Sequence, residues 1–211
     1  MSESPSGRAG RVAPDGSLHA VPSRGLLWGN RGPLLDPHGE LARHSRGRGW
    51  VCCVLDFRGR HREQWRPGRL TELYFLDEAT ALAAGHRPCG ECRHDAHRRF
   101  RSAWSETYPG DTTATAVDRR LHAARLVTPG EHRTYEARLD ELPDGTFLAH
   151  DDRSWLVRDD RVLAWSFDGY GDAVPRTALP PVVTVRTPEP TVAALRAGYA
   201  AGLHPSVSGA G

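Results

Sequence analysis

Four cysteines fall within 41 consecutive positions of a 211-residue chain, and two of them carry a recognisable spacing. Cys89-Gly90-Glu91-Cys92 is a Cys-x-x-Cys pair, the arrangement that lets two thiolates converge from one turn on a single tetrahedral ion. Pro88 stiffens the approach, and Gly90 allows the tight turn between the ligands. A helix following Cys92 would aim its N-terminus at the thiolates and lower their pKa. Such a pair is half a site. An adjacent strand is expected to supply the rest, and Cys53 completes the trio. The fourth ligand is Cys52, His61, His94 or His97, in that order of preference, with Zn2+ as the expected ion. Neighbouring side chains on a strand face opposite ways, so Cys52 and Cys53 bind together only if the backbone bulges.

Two other readings of these thiols stand beside this one. Cys52 and Cys53 have the character of small buried strand residues. Cys89 and Cys92 have the spacing of a dithiol redox couple, although such couples normally follow a βαβ pattern and need no third cysteine. His86 follows a helix-stop glycine and is expected to pack there rather than bind metal.

The elements that must position these residues are short. Structure is expected to begin near Leu26-Leu27-Trp28, with a turn at Gly29 to Pro33 and a polar loop over 36–49. Trp50 to Phe57 reads as a β-prone run, and Thr71 to Phe75 as a second strand. Asp77 caps a helix through Ala84, with Gly85 as its left-handed stop. Phe100, Ala103 and Trp104 recur at helical spacing, placing another helix after Cys92 as far as Trp104 or Tyr108. Beyond Pro109-Gly110, Leu121 to Leu126 reads as either a helical turn or a strand. Short β-prone runs then alternate with turn chemistry at Pro143-Asp144-Gly145, Asp159-Asp160 and Gly169-Tyr170-Gly171. Pro190 to Ala197 is the last helix. The pairs Asp151-Asp152 and Asp159-Asp160 are expected to be hairpin-turn charges.

The expected fold is therefore α+β: a small zinc-stabilised α/β module followed by a mostly antiparallel β module. The boundaries are a disordered tail at 1–23, the zinc module at 24–110, the β-rich accessory domain at 111–205 and a second tail at 206–211.

Composition narrows the partners. The chain is 26% charged with mean hydropathy −0.54, and no apolar run reaches the roughly 18 residues that span a bilayer. The N-terminus lacks a basic segment followed by an apolar one, so no signal peptide is read and a cytoplasmic protein without membrane partners is expected. Clustered cysteines there are more often metal ligands or catalytic thiols than disulfides. Net charge is only +2, but residues 41–101 hold 13 arginines against 7 acids, and residues 102–211 hold 11 against 15. The basic half coincides with the cysteines. Arg58, Arg60 and Arg62 alternate just after the cysteine strand and form a candidate phosphate rail. No Gly-x-Ser-x-Gly elbow, phosphate loop or dinucleotide fingerprint is present.

One stretch resembles a known family. Phe75-x3-Ala79-x3-Ala83-Ala84-Gly85-x-Arg87-Pro88-Cys89-x2-Cys92 is similar to the second half of the Ada-type metal-binding domain, the zinc module of bacterial methyl-phosphotriester DNA repair. His86 takes the place of an aromatic residue, and the resemblance extends loosely over residues 50–93. It implies zinc binding, association with DNA or other nucleic acid, and a link to DNA-alkylation repair. The family's first two zinc cysteines are three residues apart, and the first accepts a methyl group; here Cys52 and Cys53 are adjacent. Were alkyl transfer to occur, Cys52 or Cys53 would be the acceptor. The alternatives are a structural-zinc protein whose β module binds a small molecule or protein around Trp165 and Tyr170, and a Cys-x-x-Cys dithiol redox protein.

Overall fold

A computed structural model describes residues 9–59 and 64–209. The chain is α+β, with two six-stranded sheets, four α-helices and a small two-stranded ribbon among the described residues. The first sheet comprises β1 (Arg11–Val12), β2 (Leu18–His19), β3 (Leu27–Asn30), β4 (Val51–Val54), β5 (Leu73–Phe75) and β6 (Arg87–Pro88), in the order β2-β1-β5-β3-β4-β6. Its centre is antiparallel, while β1 joins β5 and β6 joins β4 in parallel. Gly29 is required in the middle of β3: a Cβ there would lie 2.2 Å from the Val51 carbonyl oxygen and 2.9 Å from the Phe75 ring.

Helix α1 (Glu78–Ala83) is the hub of the molecule, and all six of its residues are buried. Asp77 caps it as expected, its Oδ1 accepting from the Thr80 amide at 2.9 Å and the Thr80 hydroxyl at 2.8 Å. Gly85 ends it at φ +82°, with the Arg125 side chain so close that a Cβ would lie 2.5 Å from its Cδ. Ala81 and Ala84 pack under the first sheet with Val12, Cys52, Leu73 and Phe75. Leu76, Ala79 and Ala83 pack against Phe147, Leu156, Leu163 and Tyr170 of the second sheet. Leu82 joins a helical core made with α2 (His94–Thr107), α3 (Ala114–Arg125) and α4 (Glu189–Arg196). A helix buried on every side has no polar stripe, which accounts for its alanine-rich composition.

After α3 come the ribbon strands β7 (Leu126–Thr128) and β8 (Glu131–His132), and then β9 (Tyr135–Arg138). The rest of the second sheet is β10 (Phe147–His150), β11 (Arg153–Arg158), β12 (Arg161–Ser166), β13 (Gly169–Pro175) and β14 (Val182–Val185). Its order is β13-β12-β11-β10-β14-β9, and every pairing is antiparallel. Asp151, Asp152 and Asp159 sit at the hairpin turns with positive φ, as their charge and turn propensity foretold.

Several boundaries differ from the sequence reading. Residues 9–23 of the expected first tail are structured, because Val12 is fully buried and β1 pairs with β5. The expected second tail holds a 3-10 turn over Pro205–Gly209, where the Tyr170 amide donates to Ser206 Oγ at 2.8 Å. Leu121 to Leu126 belongs mostly to α3, whose start at Thr113 went unread. Gly169 to Gly171 begins β13 instead of breaking the chain. No core stops at residue 110: Phe100 and Trp104 share theirs with Val117, Leu121 and Leu195.

Candidate metal centre

The local fold brings three of the four cysteines together. Their sulfurs, on Cys53, Cys89 and Cys92, lie within 4.8 Å of one another. Thiolates around one tetrahedral zinc stand about 3.8 Å apart, given metal–sulfur bonds of about 2.3 Å, so the spacing suits a metal ion. Cys53 comes from β4. Cys89 follows β6, which lies beside β4 in parallel, and its amide donates to the Cys52 carbonyl at 3.0 Å. The turn closes with the Arg93 amide on the Cys89 carbonyl at 3.1 Å, and α2 starts immediately afterwards.

The thiols are not equivalent. Cys89 is lowered to about 5, because the Cys53 thiol donates to it and the backbone amides of Cys92 and Glu91 point at its sulfur. Cys53 is pushed up, first by giving that hydrogen bond and then by burial. Burial also raises Cys92, against an amide hydrogen bond from Val54. A metal cation binding here would displace the protons these thiols carry.

Cys52 is placed elsewhere. It is fully buried on the opposite face of β4, in the core with Leu73, Phe75 and Ala81. No bulge interrupts β4, so the strand alternation separates the adjacent pair and Cys52 cannot be the fourth ligand. Burial raises its thiol to about 12, and Arg93 Nη1 donates to its sulfur at 3.1 Å. Arg93 also pairs with Glu78 at 2.9 Å, while Glu78 accepts from the Tyr199 hydroxyl at 2.6 Å and the Gly202 amide at 2.9 Å. This buried network anchors the turn that carries Cys92 to the N-terminus of α1 and to the chain's C-terminal segment. Sequence reading missed it; the signal was an Asp-Glu pair opening an otherwise apolar helix.

Among the histidines, His94 is exposed, its Nδ1 facing the Gly90 carbonyl at 3.4 Å. His97 Nδ1 faces the Pro88 carbonyl at 3.1 Å. Neither belongs to the cysteine group, and His61 lies outside the described residues. His86 is fully buried against Phe75 and Trp50, as expected for a packing residue. The three-cysteine group therefore has no fourth protein ligand among the described residues.

It sits beside a groove of about 470 Å³, lined by the sulfurs together with Trp28, Tyr74, Phe57, Leu55 and Leu70, and by Asn30, Gln64, Glu72 and Glu91. Of the expected phosphate rail, Arg58 is exposed and holds φ +57°, past the end of β4 at Val54. Strand alternation therefore does not extend to it; Arg60 and Arg62 lie outside the described residues. Around Trp165 and Tyr170 the chain forms the β12–β13 hairpin, where the Tyr170 hydroxyl is buried on Asp77 Oδ2 at 2.7 Å. No helix among the described residues is long and apolar enough to cross a membrane.

In comparison with known proteins, no family model, curated protein or solved structure matches this chain.

Proposed function

We propose that this chain is a zinc protein that engages nucleic acid through its cysteine-bearing half, with Cys53, Cys89 and Cys92 holding the ion. The observation that carries this reading is three converging thiols lining one groove. Soft thiolates suit zinc.

The charge distribution supports an anionic partner. In the described part of 41–101, Arg43, Arg46, Arg48, Arg58, Arg66, Arg69, Arg98 and Arg99 are exposed, against Asp56, Glu91 and Asp95. The other acids described there, Glu72, Asp77 and Glu78, are buried, so exposed arginines outnumber exposed acids by eight to three. The resemblance to Ada-type modules points the same way. A zinc-held thiolate stays nucleophilic at neutral pH. Cys53 faces the groove and Cys52 does not, so the alkylation-repair link runs through Cys53. Unpaired thiols at this density suit the cytoplasm.

The test is metal analysis of the purified chain, together with salt-dependent retention on DNA. About one zinc per chain is expected, with retention that falls steeply with salt and weakens in Arg58→Ala, Arg60→Ala and Arg62→Ala. Salt-independent elution of the intact protein would remove the nucleic-acid reading.

A dithiol redox role is the second reading, because the Cys89 and Cys92 sulfurs lie within 4.8 Å of each other. It predicts a metal-free reduced protein in which Cys89 and Cys92 form a disulfide with a measurable potential. A purely structural zinc predicts instead that the arginine variants change nothing, while changes around Trp165 and Tyr170 do.

A further inference from the structure

A second pocket, of about 240 Å³, lies at the turn joining β1 to β2 and is lined by Asp15, Ser17, Gly130, His132, Thr134 and Arg186. Whole small-ligand sites run to about 300–1,000 Å³, so this pocket suits one chemical group, with the rest of its carrier outside.

Cations dominate its surroundings. Arg186, just after β14, reaches Asp15 Oδ2 through Nη1 only at 3.5 Å, and its Nε is buried without a partner. The His132 ring lies against Gly16, and its Nε2 is likewise buried and unpartnered. Beneath the same turn, Arg31 Nη1 donates to the Gly16 carbonyl at 3.0 Å. Arg31 is fully buried, its Nε and Nη2 bond to nothing, and among the described residues no carboxylate pairs with it. Burial lowers it to about 9, so it keeps its charge at neutral pH. A buried charge without a close counter-charge is costly, and its field is poorly screened.

One carboxylate stands against these groups. Asp15 lines the pocket and is the acid whose charge acts on Arg31. Its Oδ1 accepts from the Ser17 amide at 3.0 Å and the Ser17 hydroxyl at 2.5 Å, leaving Oδ2 for Arg186. Glu131, beside His132 in sequence, is held by the Thr128 hydroxyl at 2.9 Å. A charge-assisted arginine–carboxylate bond is normally about 2.7–2.9 Å long, so Asp15 holds Arg186 loosely.

We propose that this pocket binds a phosphate group, and that Asp15 is the internal anion which the phosphate displaces from Arg186. A phosphate monoester carries up to two charges and three acceptor oxygens, enough for a bidentate contact with the Arg186 guanidinium and bonds from the Ser17 and Thr134 hydroxyls. A ligand carboxylate would carry no more charge than Asp15 and would displace it poorly. The pocket shares no residue with the cysteine group, so the proposal stands apart from the nucleic-acid reading. The phosphate belongs either to a nucleic-acid terminus or to a small phosphate ester.

Equilibrium dialysis of the full chain against inorganic phosphate, at constant ionic strength, tests it. One phosphate per chain is expected at millimolar concentration. Arg186→Gln should weaken binding by about tenfold to a hundredfold, the usual effect of losing a charge-assisted bond. Asp15→Asn should tighten it by about threefold to tenfold, by removing the competing charge. Opposite signs separate this from misfolding, which would weaken both. Weaker binding in Asp15→Asn, unchanged binding in Arg186→Gln, or no phosphate on the parent chain would overturn the proposal. Each leaves salt-dependent retention on DNA, and so the nucleic-acid reading, untouched. Stronger competition by a terminally phosphorylated strand than by its unphosphorylated counterpart assigns the phosphate to nucleic acid. Competition by a phosphorylated sugar alone assigns it to small esters.

Discussion

Arg93 Nη1 reaches the Cys52 sulfur at 3.1 Å, while Cys92, one residue earlier in the chain, turns its own sulfur to the other side of β4. The same turn therefore serves both faces of one strand. One face presents thiols that can hold an ion; the other ties that turn, through Glu78, into the buried centre of the molecule. The division of labour between two adjacent cysteines rests on this relationship.

It predicts asymmetric consequences of removing each thiol. If the proposed zinc is bound, Cys53→Ser, Cys89→Ser and Cys92→Ser should each lose most of it, whereas Cys52→Ser should keep it. Cys52→Ala instead leaves an Arg93 donor unsatisfied in the core, at a cost of about 1–3 kcal/mol. Metal analysis and denaturant unfolding of the four variants check both halves.

Thiol reactivity should follow the proton arrangement. In the metal-free reduced protein Cys89 is mostly thiolate at neutral pH, since it is lowered to about 5. Alkylation followed by peptide mapping at pH 6 should label Cys89 ahead of Cys53 and Cys52, which are both buried with their thiols pushed up. Added zinc should protect Cys53, Cys89 and Cys92 together.

The buried carboxylates of α1 should be costly to disturb. Asp77 Oδ2 accepts from the Tyr170 hydroxyl at 2.7 Å and from the His204 amide at 3.0 Å, joining both sheets and the C-terminal segment to one helix cap. Tyr170→Phe should destabilise by about 1–3 kcal/mol, by leaving that carboxylate one donor short. Thermal unfolding should show one transition shifted downward, with zinc content unchanged.

Acid should weaken the fold through its histidines. Trp50 lies between two buried guanidiniums, with Arg31 at 4.4 Å and Arg125 at 3.6 Å from its ring centroid. Burial first, and then the Arg31 charge, lowers His44 to about 4 and His132 to about 2. Both stay neutral in the native state where the unfolded chain takes up protons, so stability falls as pH drops below about 6.5 and continues falling toward 4. Asp77, raised by burial, acts in the opposite direction. The informative comparison is therefore between the native chain and a His44→Gln, His132→Gln double variant, whose thermal midpoint should vary less between pH 7 and pH 5.

Much of the architecture was legible in the residues. Asp77 and Gly85 announced both ends of α1, the Cys-x-x-Cys turn and the helix after it lie where their spacing put them, and the paired aspartates sit at hairpin turns. The strands at Arg11–Val12 and Leu18–His19 were illegible because two-residue elements show no periodicity; partners far along the chain hold them in place. The start of α3 was hidden for a related reason: only Val117, Leu121 and Arg125 of its twelve residues are buried, so its apolar signal is thin.

The sequence by itself determined that two thiols share a turn and that a third stands on a strand within reach of them. The sequence reading named Cys53 as that third thiol; only the tertiary structure decided that Cys52 is kept out of the group. Side-chain alternation puts the two on opposite faces but does not say which face is covered, and that depends on where α1 packs. With α1 under the first sheet, Cys52 goes into the core and Cys53 faces the groove, because burying one side of a strand leaves the other to meet the turn beside it.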